Sequence, residues 1–102
     1  KDAPIETVVF AGSPRQMQYI LTKPLHWTQK RPLPEEQNCL HERYPQVPSD
    51  WIFLTIECKW NFELITTLFS FGERIMVLSP ERVVDELKEK AEKMISYYHI
   101  DM

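Results

Sequence analysis

Residues 64–80 read Leu-Ile-Thr-Thr-Leu-Phe-Ser-Phe-Gly-Glu-Arg-Ile-Met-Val-Leu-Ser-Pro, and this stretch decides the fold. Leu64, Ile65, Leu68 and Phe69 recur at helical spacing and make one apolar face. Just upstream, Asn61 can cap that helix by accepting from a free N–H of its first turn. Gly72 stands where a helix C-terminus needs a residue tolerant of positive φ. Ile75 to Leu78 are apolar and partly β-branched, which predicts a strand. Ser79-Pro80 then opens another helix, with Ser79 as N-cap and Pro80 at the first helical position. The stretch describes packing, and no catalytic signature occurs anywhere in the chain.

Working outward, Ile5 to Ala11 is a β-rich run that predicts a first strand. Gly12 ends it, and Ser13-Pro14 repeats the cap-plus-proline opening of a helix. Met17, Ile20 and Leu21 give that helix a buried stripe, and Pro24 stops it. From Pro24 to Gln37 the chain is proline-rich and predicts a loop or an irregular edge segment, because proline cannot donate to an interior ladder. Cys39 to Tyr44 reads as a second strand, and Pro45 to Asp50 as a turn. Trp51 to Trp60 is the clearest strand. Ile52, Leu54, Ile56 and Cys58 alternate with Phe53, Thr55, Glu57 and Lys59, which predicts one apolar face and one mixed face.

A long helix from Pro80 to about Tyr98 closes the chain, roughly 28 Å at 1.5 Å per residue. Val84, Leu87, Ala91, Met94, Ile95 and Tyr98 share one side of it. Glu86 with Lys90, and Glu89 with Lys93, are acid-first pairs four apart. The order is therefore β-α-β-β-α-β-α. The economical solution is an α+β, ferredoxin-like split βαβ sandwich (βαββαβ) with an added C-terminal helix. It would put two helices on one face of a four-stranded antiparallel sheet and leave Phe53 and Thr55 on the open face. The long helix would either fold back and complete its own core or reach past the domain and place its end against a second copy or another domain.

At 102 residues the chain is one domain. A formal charge of −3 argues against a nucleic-acid surface as its main business. Apolar runs are too short to span a membrane. The first residue is Lys1 rather than Met, which suggests a piece of a longer protein or a processed terminus. Cys39 and Cys58, both placed on strands, read as reduced thiols.

In the order Ile5-Glu6-Thr7-Val8-Val9, Ser13-Pro14, His26-x-x-Gln29, Asn61-Phe62-Glu63, Leu68, Ser70-Phe71-Gly72, Val77-Leu78, Pro80 and Tyr97-Tyr98, the chain resembles the WCX domain. That domain is the C-terminal extension following the WYL domain in bacterial transcriptional regulators. The resemblance covers nearly the whole chain, residues 1–102. It implies a ferredoxin-like fold in a cytoplasmic regulator with an N-terminal helix-turn-helix and a central WYL domain, neither of which occurs in this sequence. It implies a share in effector response and dimerisation, with DNA bound only by the N-terminal domain. Between Lys30 and Asp50 the chain departs from the family pattern, so the second strand fits near Gln29 to Leu33 as well as at Cys39 to Tyr44.

The candidate ligand or partner residues are Lys23, His26, Trp27, Lys30 and Arg31, where rings and cations interleave, together with Arg43, Phe53 and Lys59. The plainer reading of the first group is a solvated loop with Trp27 anchored in the core. Arg43 and Lys59, placed on neighbouring strands, also read as cross-strand partners of Glu42 and Glu57. Cys39-x-His41 would put two metal-ligating side chains on one strand face, but His26, His41, His99 and the two cysteines lack zinc spacing, and no metal or cofactor is expected. A nucleophilic Cys–His pair lacks an orienting third group. With only Gly12 and Gly72, no phosphate-cradling loop is present. Two alternatives remain besides a regulatory domain. One is a stand-alone ferredoxin-like small-molecule-binding or acylphosphatase-type domain, for which Gly12-Ser13-Pro14-Arg15 offers a fragment of an anion loop. The other is an RNA-binding sheet, which would need aromatic platforms on the central strands; the chain lacks the Gly-aromatic motif of that class, and its net charge has the wrong sign.

Overall fold

The computed structural model describes residues 4–99; Lys1 lies outside them. The elements run β1 (Ile5–Gly12), α1 (Pro14–Thr22), α2 (Pro34–Arg43), β2 (Ile52–Lys59), α3 (Phe62–Ser70), β3 (Ile75–Ser79) and α4 (Glu81–Tyr97). The strands form one antiparallel sheet in the order β2-β1-β3.

Local signals explain most of these boundaries. The Ser13 hydroxyl accepts from Gln16 N at 3.3 Å, with Pro14 opening α1 behind it. Asn61 Oδ1 accepts from Leu64 N at 2.8 Å and caps α3. Gly72 follows α3 with φ of 59°, a left-handed conformation that a side chain resists. At the start of α4 the chain departs from expectation. Ser79 is the last residue of β3, Pro80 holds the cap position without a side-chain bond, and the peptide between them is cis.

Register sorts the side chains onto two faces. Val8 lies opposite Ile56, Phe10 opposite Leu54, and Phe10 also opposite Val77. This face is covered by Met17 and Ile20 of α1 and by Leu64 and Leu68 of α3, making the main core. Leu21 of the expected stripe stays on the surface. On the other face Ala11 lies opposite Phe53. With Val47 they form a smaller core, against which Leu40 and Tyr44 pack.

That smaller core corrects two readings. Residues 39–44 were expected as a strand, but Pro34–Arg43 is a helix. Pro34 opens it, Glu35 and Glu36 occupy its first turn, and Glu36 Oε1 accepts from Leu33 N at 3.0 Å. His41 and Arg43 sit in its last turn, where cations suit the helix dipole. Because α2 lies over the sheet, Phe53 is fully buried rather than exposed as a partner surface. Its ring meets the His41 ring edge-on at 4.8 Å. The sheet has three strands rather than four. Lys30 and Thr55 form an isolated antiparallel bridge beside β2, within the alternative placement at Gln29 to Leu33. The βαββαβ order is therefore not reproduced; the observed order is β-α-α-β-α-β-α.

The domain measures 50 × 39 × 26 Å, with a radius of gyration of 14.5 Å. A compact chain of this length has about 13 Å.

Candidate functional site

Two grooves lie on opposite faces of the sheet. The first, about 610 Å³, runs between α4 and the α3–β3 side of the core. Along α4, Val84, Leu87, Ala91, Met94 and Tyr98 line it at spacings of three and four, which keeps them in one stripe. Leu68 and Phe69 face them from α3, and Ile75 and Val77 from β3. Among the described residues, the charged members of its lining are Glu73 and Lys88.

The N-terminal half of α4 is tied down. Val83 is buried, Arg82 Nη2 donates to Glu6 Oε1 at 2.6 Å, and Trp60 Nε1 donates to Glu86 Oε1 at 2.9 Å. Glu86 thus bonds across to Trp60 rather than to Lys90. Past this point the stripe loses its cover. Leu87 is half-buried, whereas Met94, Ile95 and Tyr98 are 46%, 64% and 77% exposed.

The second groove, about 680 Å³, lies on the face that α2 only partly covers. It brings together three of the residues picked from sequence, Lys30, Arg31 and Arg43, beside Thr7 and Thr55 of the sheet. Glu35, Glu36 and Glu57 also line it, so the cations sit in a mixed field. Among the described residues none of the three cations forms an ion pair. Arg43 ends a helix rather than lying on a strand, so the cross-strand pairing expected of it does not apply.

The other candidates lie elsewhere. Lys23 Nζ sits 5.9 Å from the centre of the Tyr19 ring, on the way out of α1. His26 and Trp27 stack at 5.8 Å with 27° between their planes. Trp27 is 89% exposed, not anchored in the core. The loop that carries it is well fixed. Gln29 Oε1 accepts from Leu25 N at 2.9 Å, and the Thr28 hydroxyl bonds the Glu57 backbone. Phe53 is out of reach of any partner, and Lys59 is on β2 outside the groove lining.

Cys39 lies on α2 over one sheet face, while Cys58 is buried in the core on the other. The sheet separates the two thiols, and both are free. Burial, followed by the negative charge of Glu6, pushes the Cys58 thiol above its ordinary pKa. On a helix, residues two apart diverge, so Cys39 and His41 do not share a face, and His41 Nε2–H donates to Trp51 O at 2.9 Å.

Sequence reasoning missed Glu73 and Lys88 beside the apolar groove, and Thr28 and Gln37 beside β2. Each is polar and unremarkable along the chain; only the fold gives it a neighbour.

No curated protein matches this chain. The WCX domain profile matches residues 4–95, nearly all of it, and with that extent of agreement the chain belongs to the WCX domain family.

Proposed function

We propose that this domain is a non-catalytic regulatory and interaction module of a bacterial WYL-type transcriptional regulator, contributing to effector response and dimerisation. Its partners in this reading are the WYL and helix-turn-helix domains of the same parent chain and a second copy of itself. DNA is reached only through the N-terminal domain, and the setting is the bacterial cytoplasm. Membership of the WCX family supports the WYL-type context. We read the sheet as a split βαβ arrangement whose second strand is reduced to the Lys30–Thr55 bridge.

The observation that carries the interaction role is the apolar stripe of α4, which leaves the body with Met94, Ile95 and Tyr98 uncovered beside an apolar groove. Large apolar side chains clustered this way mark contact surfaces. On the opposite face, the Lys30, Arg31 and Arg43 groove is the effector-side candidate, with Lys23, His26, Trp27 and Lys59 as further contacts.

The acylphosphatase-type alternative is weakened by the turn after β1. Ser13 N donates to Arg74 O at 3.2 Å, Gln16 N to the Ser13 hydroxyl, and Met17 N to Ser13 O. These N–H groups are already used and cannot cradle an anion. Gly12 is closed off too, since a Cβ there would clash with Met17 Cε.

Sedimentation equilibrium tests the proposal, on the chain alone and with its upstream WYL domain. The parent chain self-associates or binds that domain, and the Met94→Glu/Ile95→Glu double variant loses the association while staying folded. A parent that is monomeric at high concentration and indifferent to the upstream domain defeats the reading.

A further inference from the structure

We infer that residues 28–41 are an edge guard, which closes the outer edge of β2 against antiparallel pairing with a second copy of this chain. β2 borders β1 on one side only, so its other side would present a row of unpaired backbone groups. In an antiparallel sheet, alternate residues point these groups outward. Here they belong to Trp51, just ahead of β2, and to Phe53, Thr55, Glu57 and Lys59. The first four each meet a different partner from the segment 28–41, and Lys59 O accepts from Asn61 Nδ2 at 2.9 Å.

His41 Nε2–H donates to Trp51 O at 2.9 Å. The Gln37 amide takes both groups of Phe53, donating to its O at 2.8 Å and accepting from its N at 2.9 Å. The Lys30 backbone exchanges bonds with Thr55 at 2.9 and 3.0 Å. The Thr28 hydroxyl accepts from Glu57 N and reaches Glu57 O, both at 2.9 Å. Three of these four partners are side chains. They satisfy the edge as a strand would, but they offer no further edge of their own. A neighbouring strand would extend the sheet and pass the problem outward; this segment ends it.

Without the guard, β2 has the features of a strand that pairs with itself. It is eight residues long, alternates apolar and polar side chains from Leu54 onward, and contains neither proline nor glycine. Two copies related by a two-fold axis could join edge to edge, because such an interface needs only one self-complementary surface. The opposite edge is managed differently, since β3 is only five residues long and runs directly into Pro80.

Hydrogen exchange and sedimentation velocity on the whole chain test the guard. Thr28→Val with Gln37→Met removes the partners of Glu57 and Phe53 at nearly constant volume. The expected result is at least tenfold faster exchange of the Phe53 and Glu57 amides, with Leu54 and Ile56, which face β1, unchanged. Larger species appear that the parent does not form at the same loading. Gln18→Met, an exposed swap of the same chemistry on α1, produces neither effect. Unchanged exchange at Phe53 and Glu57, or faster exchange with no new species, overturns the inference. Should the double variant lose protection at Leu54 and Ile56 as well, Thr28→Val alone decides. Faster exchange confined to Glu57 together with new larger species supports the guard; unchanged exchange, faster exchange without new species, or an equal rise along all of β2 refutes it.

Discussion

Trp60 and Glu86 meet across 2.9 Å, indole N–H to carboxylate, and this bond marks the last firm tie between α4 and the body of the domain. Before it, α4 is held by the buried Val83 and by the Arg82–Glu6 pair. After it, the helix carries its apolar stripe away from cover.

A double-mutant cycle on this pair measures the tie. Trp60→Phe and Glu86→Ala each remove the partly buried, charge-assisted hydrogen bond. The coupling should be about 1 kcal/mol, below the usual range for charged partners because solvent reaches the site. Urea denaturation of the two single variants and the double variant gives the value. Strictly additive losses would show that the bond contributes nothing.

Core and tip of the groove should respond differently to truncation. Leu68 is 2% exposed in the main core, so Leu68→Ala should cost about 2–5 kcal/mol. Ile95 projects into solvent, so Ile95→Ala should change the stability of the monomer by no more than about 0.5 kcal/mol. Equal losses at the two positions, measured at a concentration below any self-association, would contradict the placement of α4.

The thiols should separate by reactivity and by their effect on pH dependence. Iodoacetamide should label the exposed Cys39 first, leaving Cys58 unmodified in the native state. The folded pKa of Cys58 is raised above the ordinary 9.0. Its contribution is therefore fully present below that value. As pH rises, the unfolded thiol ionises while the folded one stays neutral, and the contribution is lost as pH passes through the folded pKa. Denaturation between about pH 8 and pH 10.5 should show a downward slope that Cys58→Val reduces. An identical slope in the variant would assign it to other groups.

The isolated chain should not read DNA sequence. With a net charge of −3 and its three groove cations opposed by carboxylates, it lacks the concentrated positive surface that phosphate contact requires. Fluorescence anisotropy at physiological salt should find no sequence-selective duplex binding. Sub-micromolar selective binding would contradict the proposed division of labour in the parent regulator.

Much of the architecture was legible in the residues. The Ser13 and Asn61 caps, the positive φ of Gly72 and the alternation of β2 all depend on neighbours within a few positions. The uncovered end of α4 was legible for a related reason, since Met94, Ile95 and Tyr98 continue an apolar stripe farther than so small a domain can cover. The segment 34–43 was misread because its Cys-Leu-His core suits a strand as well as a helix. The decisive cue, Pro34-Glu35-Glu36, lay inside a run whose prolines had already assigned it to a loop.

The candidate site was less legible. Lys30, Arg31 and Arg43 were chosen separately, for different reasons, and the fold places them in one groove. Phe53 and Trp27 exchanged roles, the first expected outside and found buried, the second expected inside and found exposed. Neither position follows from local pattern, because burial depends on what lies over a side chain.

By itself, then, the sequence determined where β1, α1, β2, α3, β3 and α4 lie, which strand face is apolar, and that the last helix carries more apolar surface than one side of it can hide. These are properties of a few consecutive residues and of their period. Only the tertiary structure decided that α2 covers the second sheet face and that the edge of β2 is closed by Thr28, Lys30, Gln37 and His41. Those outcomes rest on hydrogen bonds and contacts between residues 10 to 29 positions apart, which no local rule can pair until the chain has folded.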